Sequence, residues 1–351
     1  MNDSAYIIDN KFRKSQNMSE QNKQSNNQID RFVLRHLEAN SGKWISGADL
    51  AEQVNVSRNT IWRIIKKLQD TGYAIESVTG RGYQLKNDQD LLSEYGIILN
   101  LNNPSNYQIE ILGTVDSTNN ILKEKARAGY PAGTLIVANA QESGRGRRGR
   151  DFFSPPGTGV YFSLLIRPDH NFNPGQKSPA LAAVALSSAI DKILDKTSGI
   201  KWVNDIYLDQ KKVAGILSEA ELDFETASIA YLVIGVGVNV YQPQTDFPSE
   251  LKHTASALLP STQPKAGLRN KLIAEFLNQW EILAKPEQSM QALEIFRSKS
   301  ILTGKTVNIW HNHNKIVTKV LDVNQEFELV VELKDGSIQT INHGEATLHS
   351  N

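Results

Sequence analysis

Four arginines alternate with three glycines in one short segment of this chain, Gly-Arg-Gly-Arg-Arg-Gly-Arg at 144–150. Glycine gives a backbone freedom that other residues lack, and the guanidinium group pairs well with phosphate and carboxylate oxygens. The segment therefore predicts a mobile loop that binds an anionic, phosphorylated ligand. Its glycines also spell G-x-G-x-x-G, but a Pro/Gly-rich stretch at 155–157 follows where a dinucleotide site needs a helix. An exposed RNA-binding loop is the alternative interpretation.

A second group of charged residues lies near predicted strand ends. The segment K-W-V-N-D at 201–205 supplies Lys201, Asn204 and Asp205, and Lys212 opens K-V-A-G-I-L-S-E at 212–219. Two ammonium groups, an amide and a carboxylate could neutralise charge around a phosphoryl centre. Surface lysines and a turn-forming Asn-Asp pair would be the structural alternative.

The segment G-V-G-V-N at 235–239 ends an apolar run. Glycines there let a ligand approach the backbone, or they mark a β-bulge. The Walker phosphate-loop signature is absent, and the seven histidines show no zinc-binding spacing. We therefore expect no structural metal.

The N-terminal part has the pattern of a winged helix-turn-helix. Ser46 and Ser57 each precede a helical pattern, the second helix carries a basic face, and a hairpin with Arg81 at its tip follows. Between 57 and 86 six basic residues stand against two acidic ones, a local net charge of +4. An ordinary solvated helix face is the alternative. The candidate DNA-binding residues are Ser46, Ser57, Arg58, Asn59, Thr60, Arg63, Lys66, Lys67 and Arg81.

Length and composition set the organisation around these motifs. A chain of 351 residues predicts two or three domains. Lys+Arg and Asp+Glu are both 38, so a nucleic-acid surface must be a local patch, and the absence of cysteine excludes disulfides, thiolate nucleophiles and iron–sulfur clusters bound by cysteine. Apolar runs are too short to span a membrane, and no signal peptide is evident. These features indicate a cytoplasmic protein.

The patterns predict an α+β multidomain fold. Residues 1–28 form a polar, disordered tail, and 29–90 form the DNA-binding domain with a polar linker over 87–106. A mixed α/β domain follows at 91–299, with strands over 134–140 and 159–166 and helices over 181–194 and 268–283. Short alternating strands over 300–351, with a hairpin at Asp335-Gly336, predict a small β-barrel or sandwich.

Taken together and in this order, the motifs at 144–150, 201–205, 212–217 and 235–239 resemble the bifunctional biotin protein ligase/biotin operon repressor family. The resemblance runs from about residue 29 to residue 348. It implies a winged helix-turn-helix, a central domain like class II aminoacyl-tRNA synthetases and an SH3-like C-terminal β-barrel. Two departures are Phe152-Phe153, where relatives often have Trp, and Val203, where they usually have Pro.

The resemblance also assigns site residues. It implies catalytic roles for Lys212, Lys201, Asn204, Asp205 and Arg147. The implied biotin-binding residues are Ser117, Thr118, Asn119, Gln141, Arg145, Gly146, Arg147, Lys212, Gly215, Gly235 and Gly237. The implied ATP-binding residues are Arg145, Arg147, Arg148, Arg150, Phe152 and Asn239.

The implied activity is two-step acyl transfer that uses biotin, ATP and Mg²⁺. Biotinyl-5′-AMP forms first, and biotin then passes to a lysine of a carboxylase carrier domain. The same adenylate would act as corepressor for a ligand-induced homodimer on the operator DNA of biotin genes. The alternatives are a ligand-sensing repressor without transferase activity, a lipoate or octanoate transferase, and a ligase whose N-terminal domain binds no DNA.

Overall fold

The structure is a computed structural model that describes residues 28–86, 90–168, 177–223, 228–262, 264–311 and 314–348. The predicted disordered tail lies outside the described residues, except that Gln28 begins the first helix. The chain divides into two compact units, residues 1–100 with 264–268 and residues 101–263 with 269–351. The predicted domain limits at 28, 90 and 299 stay predictions.

The described part of the first unit contains four helices and a two-stranded sheet. They are α1 (28–39), α2 (Gly47–Gln53), α3 (Arg58–Asp70), β1 (Ile75–Val78), β2 (Gly82–Leu85) and α4 (Glu94–Ile98). Ser46 caps α2 by accepting from the N–H groups of Ala48 and Asp49, and Ser57 caps α3 by accepting from the N–H of Thr60. Strands β1 and β2 pair antiparallel, as the predicted wing requires.

Helix α4 corrects the polar linker predicted at 87–106. Ser93 caps α4 by accepting from the N–H of Gly96, and Ile97 is fully buried. Leu99 packs in the same hydrophobic cluster as the residues of α1 and α3. The sequence concealed this element because only a few apolar residues interrupt a polar stretch.

The second unit is built on a seven-stranded sheet in the order β3-β4-β5-β9-β8-β7-β6. Only β3 and β4 pair parallel, so the predicted mixed sheet is confirmed. The strands are β3 (Gln108–Val115), β4 (Thr134–Gln141), β5 (Gly159–Ile166), β6 (Gly199–Lys201), β7 (Asp205–Leu208), β8 (Lys211–Asp223) and β9 (Ser228–Asn239). Strand β3 was not predicted; it is an edge strand with few buried side chains.

Four helices accompany this sheet: α5 (Thr118–Arg127), α6 (Ser178–Leu194), α7 (Leu268–Leu283) and α8 (Ser289–Lys299). Pro179 occupies the first turn of α6, as predicted, but Lys177 rather than Ser178 is the capping residue. Helix α7 has the predicted limits, whereas α8 was not predicted.

The C-terminal strands form a five-stranded antiparallel sheet in the order β13-β12-β11-β10-β14. They are β10 (Thr306–His311), β11 (Asn314–Val323), β12 (Leu329–Glu332), β13 (Ile338–Ile341) and β14 (Glu345–Leu348), of which β14 was not predicted. The indole N–H of Trp202 donates to the carbonyl of Phe327 at 2.8 Å and ties this sheet to the turn between β6 and β7. The SH3-like and synthetase-like descriptions stay predictions.

No helix in the described ranges is both long and apolar enough to cross a membrane.

Candidate functional site

A cavity of about 500 Å³ lies in the second unit, and the predicted ligand-binding residues line it. The motifs that carry these residues are scattered between residues 117 and 239, and the sheet brings their ends to one side. The predicted residues at the cavity are Ser117, Thr118, Asn119, Gln141, Arg145, Gly146, Arg147, Arg148, Arg150, Phe152, Lys201, Asn204, Asp205, Lys212, Gly215, Gly235, Gly237 and Asn239.

One end of the cavity is polar and uncharged. It is formed where β3 passes into α5, so that Thr118 at the start of α5 lies beside the end of β4. The N–H and the hydroxyl of Thr118 donate to Gln141 Oε1 at 2.9 and 3.1 Å, and Gln141 Nε2 donates to Ser154 Oγ at 3.1 Å. Buried groups held in this way present a fixed set of donors and acceptors to a ligand.

Behind this end lies a polar network that sequence reasoning missed. Fully buried Ser163 on β5 places its Oγ 2.6 Å from Asn119 Oδ1, and Asn119 Nδ2 donates to Glu219 Oε2 at 2.7 Å. Lys123 Nζ lies 2.9 Å from Glu219 Oε1. Burial alone would raise the pKa of Glu219, but the hydrogen bonds from Lys123 and Asn119 hold that pKa below its usual value. The two contacts of Glu219 join residues 100 and 96 positions apart in the chain, a separation that no local pattern reveals.

Two glycines of β9, Gly235 and Gly237, make room for neighbouring side chains and do not mark a β-bulge. A Cβ atom on Gly235 would lie 2.1 Å from Asn119 Oδ1, and one on Gly237 would lie 2.6 Å from the ring of Phe152. The register of β9 with β8 and β5 is regular through these positions, so the bulge interpretation is wrong. Other groups do approach the backbone closely at these two glycines, but they are the side chains of Asn119 and Phe152 of this chain.

The charged end of the cavity is arranged around Asp205 at the start of β7. Its Oδ1 lies 2.7 Å from Lys212 Nζ on the neighbouring strand β8. Burial lowers the pKa of Lys201, although Asp205 and Glu345 oppose that shift. Asn204 is buried and bonds through Nδ2 to the carbonyl of Ile216. The two lysines and Asp205 therefore form a cationic group that one carboxylate partly neutralises.

The Gly/Arg loop is anchored to the C-terminal sheet through Glu345. Arg150 makes two bonds to that carboxylate, at 2.7 and 2.8 Å, and Arg148 lies 3.7 Å from it. Burial would raise the pKa of Glu345, but the bonds from Arg150 keep it below the usual value. Arg147 donates to Asn204 Oδ1 and to the carbonyl of Gly344, both at 3.3 Å. The loop predicted to be mobile therefore has fixed contacts in the structure, because β14, which was not predicted, supplies Glu345 as a partner for Arg150 and Arg148.

Aromatic rings close another part of the wall. Phe152 meets Tyr161 edge-on at 6.5 Å, and Phe153 meets Phe247 edge-on at 6.2 Å. Asn239, at the end of β9, donates to the carbonyl of Ser256 at 3.1 Å. Phe152 thus presents apolar surface to the cavity, which an adenine ring could contact.

The predicted DNA-binding residues lie in the first unit. Arg58, Asn59, Arg63 and Lys66 are exposed on α3, and Arg81 is exposed at the wing, where its guanidinium lies 4.8 Å from the ring centre of Trp44. Ser46 and Ser57 act as helix caps, and the hydroxyl of Thr60 bonds to that of Ser57. Lys67 instead pairs with Asp30 of α1 at 3.0 Å. That pair ties α3 to α1, a structural use that the sequence pattern did not distinguish from DNA contact.

Comparisons with known proteins agree on both parts of the chain. Residues 112–239 match the biotin/lipoate A/B protein ligase family, and residues 31–84 match an HTH domain. The bifunctional ligase/repressor BirA of Bacillus spizizenii is 36% identical over 233 residues, which cover 64% of this chain and 68% of that protein. The protein of the same name from Escherichia coli is 33% identical over 200 residues, 57% of this chain and 60% of that one.

A solved structure supports the same relationship. The biotin protein ligase from Aquifex aeolicus in complex with biotin and ATP has a TM-score of 0.57 and 29% identity, over 70% of this chain and 99% of that one. The similarity thus extends over the whole of a ligase that binds biotin and ATP. This chain has an HTH domain and is 36% identical to the relative from Bacillus spizizenii. It therefore belongs to the family of bifunctional biotin protein ligase/repressor proteins.

Proposed function

We propose that this protein activates biotin with ATP and transfers it to a lysine of a carboxylase carrier domain. One observation carries the proposal: a single cavity joins the uncharged polar end at Thr118 and Gln141 to the cationic end at Lys201 and Lys212. Biotin has the same two parts, a neutral ureido ring and a carboxylate. Hydrogen bonds would hold the ring, and the lysines would attract the carboxylate and the triphosphate.

In the first step the biotin carboxylate attacks the α-phosphorus of ATP, and pyrophosphate leaves. The two reactants are both anions, so they repel each other unless cations lie between them. Lys212, Lys201, Arg145 and Arg147, which all line the cavity, would supply that charge. The biotin carboxylate would also compete with Asp205 for Lys212, since the Asp205 carboxylate forms an ion pair with that ammonium group.

Magnesium is the metal of the proposed reaction. Mg²⁺ usually takes one or two protein carboxylates and completes its shell with water and substrate phosphates. Asp205, with Asn204 beside it, fits such a site at the charged end of the cavity. Within the described residues no group of three carboxylate or histidine side chains could hold a metal without substrate. When bound, the ion would stabilise negative charge on phosphoryl oxygens.

In the second step the acceptor amine attacks the carbonyl carbon of the mixed anhydride, and AMP leaves. The amine must be neutral to attack, and Asp205 is the proposed group that orients it or removes its proton. Closure of the Gly/Arg loop would keep water from the anhydride, because hydrolysis would waste it.

The experiment that tests this function combines the purified protein with biotin, ATP, Mg²⁺ and a carrier domain. We expect the mass of the carrier to increase by one biotinyl group, and no change when ATP is omitted. Replacing biotin by lipoate or octanoate tests the acyl-transferase alternative, which the biotin/lipoate family match alone does not separate. Labelling by lipoate in preference to biotin would reject the proposal.

We further propose that the protein is a cytoplasmic, adenylate-dependent repressor of biotin genes. Its N-terminal unit would bind the DNA. The support is the capped α3 with its exposed basic face and the wing that carries Arg81. One such unit contacts few phosphates, so specific binding would require a ligand-induced homodimer on a palindromic site. An N-terminal unit that binds no DNA is the alternative, and measuring operator affinity with and without biotin and ATP decides between them. The SH3-like barrel and the synthetase-like central domain belong to the same proposal.

A further inference from the structure

One tryptophan on α3 has no role in the site or in the core. Trp62 is 54% exposed, whereas the other apolar residues of the helix, Ile61, Ile64, Ile65 and Leu68, are at most 6% exposed. Isolated exposed hydrophobic residues are common on protein surfaces. The position of Trp62, rather than its exposure alone, must therefore indicate its role.

Trp62 lies in the middle of the polar face of α3. An α-helix has 3.6 residues per turn, so Trp62 lies one turn beyond Arg58 and one turn before Lys66, with Asn59 beside it. All three of these neighbours are exposed. The most apolar surface on this face is thus surrounded by the side chains that would meet a charged partner.

The rotation of α3 is fixed from the other side. Lys67 pairs with Asp30 at 3.0 Å and lies 4.3 Å from the ring centre of Tyr95, while Ile61 and Leu68 are completely buried. These contacts hold the opposite side of α3 against the rest of the unit. Trp62 therefore points outward because the helix packing requires it, and it cannot turn into the core without breaking those contacts.

The chemistry of the partner follows from these neighbours. In a helix-turn-helix the residues near the start of the second helix reach base edges in the major groove. Contacts from basic side chains to phosphates carry no sequence information, whereas the thymine 5-methyl is the apolar group that the groove offers. We propose that Trp62 reads sequence by packing against a thymine methyl group in each operator half-site. This inference rests on the proposed DNA-binding function.

The test starts from a duplex selected out of a random library by the full-length protein with biotin, ATP and Mg²⁺. Binding of this fluorescent duplex is measured for wild type, Trp62→Ala and Trp62→Phe. The matched control is Trp310→Ala, since Trp310 is a comparably exposed tryptophan, 46% exposed, on the C-terminal sheet. We expect Trp62→Ala to bind at least tenfold more weakly, because the dimer would lose one specific base contact in each of its two half-sites. Trp62→Phe should lose less, and Trp310→Ala should bind like wild type.

Replacing single thymines by deoxyuridine then locates the contact. That change removes only the 5-methyl group, and one position per half-site should weaken wild-type binding about fourfold, which corresponds to about 0.8 kcal/mol for one buried methylene-sized group. The same change should have no effect on Trp62→Ala, because the side chain that senses the methyl group is gone.

The outcomes separate this inference from the function on which it rests. If the wild-type protein enriches no duplex, the repressor function fails and the contact fails with it. If Arg58→Ala with Arg63→Ala destroys binding while Trp62→Ala binds like wild type, DNA binding stands and the contact is refuted. If the same deoxyuridine substitution still weakens binding of the duplex by Trp62→Ala, the proposed contact is also refuted. Loss of dimerisation in Trp62→Ala without DNA, measured by sedimentation, would instead assign Trp62 to a contact between copies and overturn the proposal.

Discussion

Three ion pairs lie at the cavity or behind it. Lys212 pairs with Asp205, Lys123 with Glu219, and Arg150 with Glu345. The first pair lies at the charged end of the cavity, the second behind its polar end and the third at its rim. Each pair therefore makes a different prediction about activity or stability.

Removing the ammonium group of Lys212 should slow adenylate formation. Lys212→Ala should lose about 2.7 to 4 kcal/mol of transition-state stabilisation, on the scale of one lost oxyanion-stabilising group. Lys211→Ala is the matched control, because its side chain is the exposed neighbour on the same strand. Pyrophosphate release measures the step. Release at the wild-type rate in Lys212→Ala would exclude the proposed role.

The Glu219 network should stabilise the protein in a pH-dependent way. The folded pKa of Glu219 is lowered from 4.5, so its contribution is present above pH 4.5 and is lost as the pH falls through the folded value. Glu219→Gln should therefore lower the free energy of unfolding by about 1 kcal/mol at pH 7, and the difference from wild type should disappear in acid.

Denaturant titrations at several pH values measure this difference. Glu221→Gln is the control, since the Glu221–Arg127 pair is exposed and should contribute little. A Glu219→Gln difference that stays the same from pH 7 to pH 3 would contradict the assignment of the effect to this carboxylate.

Several of the cavity residues lie at the ends of helices and strands. The turn from β3 to α5, the end of β9 and the start of β7 bring the cavity residues together. Strand β14 adds Glu345, whose carboxylate accepts two hydrogen bonds from Arg150 of the Gly/Arg loop. We expect an anionic ligand to order the loop further, through contacts beyond those with Glu345.

Trypsin, which cleaves after arginine, should report that ordering. We expect slow cleavage in 144–150 of the unliganded protein and stronger protection with biotin and ATP, because the adenylate adds contacts to the loop. Glu345→Gln should make cleavage of the unliganded loop faster, since it removes the carboxylate. Asp322→Asn on the same sheet, which breaks an exposed pair with Arg297, should not.

The cleavage sites are identified by mass spectrometry. Equal cleavage with and without biotin and ATP would reject ligand-dependent ordering of the loop. Unchanged cleavage in Glu345→Gln would reject the anchoring role of β14.

The whole molecule combines a ligase with a DNA-binding unit, and its overall net charge gives no indication of the second. The chain is neutral, while residues 57–86 carry a local net charge of +4. If the adenylate favours the dimer, the same intermediate both feeds the ligase and strengthens operator binding. An abundant acceptor would consume the adenylate and release the DNA.

Operator affinity should therefore respond to biotin and ATP. We expect the two together to tighten binding to a biotin-operon promoter, and Arg58→Ala with Arg63→Ala to abolish it, because phosphate contacts supply most of the affinity. Ligation of the carrier should survive in the double variant. Promoter affinity that is the same with and without biotin and ATP would leave a ligase with an idle N-terminal unit.

Much of the fold could be predicted because its signals are local. The limits of β5 and α7 were predicted closely, since apolar runs and helical periodicity lie within one window of sequence. Helices α4 and α8 and strands β3 and β14 were missed, because their residues are stabilised by contacts with distant elements. The predicted cavity residues came from motifs or from the family resemblance, whereas Ser163 and Glu345 lie outside every motif, and Glu219 ended one without being given a role.

By itself the sequence determined which chemistry is present: the arginine loop, the two lysines, Asp205 and the basic helix α3. Residue types and short spacings are enough for that, because charge and hydrogen-bonding capacity belong to the side chain. Tertiary structure determined the pairing: Asn119 fits against Gly235, Glu345 holds Arg150, and Lys67 faces Asp30 while Trp62 faces outward. Such contacts join residues far apart in the chain, and only sheet register and helix packing fix which of them meet.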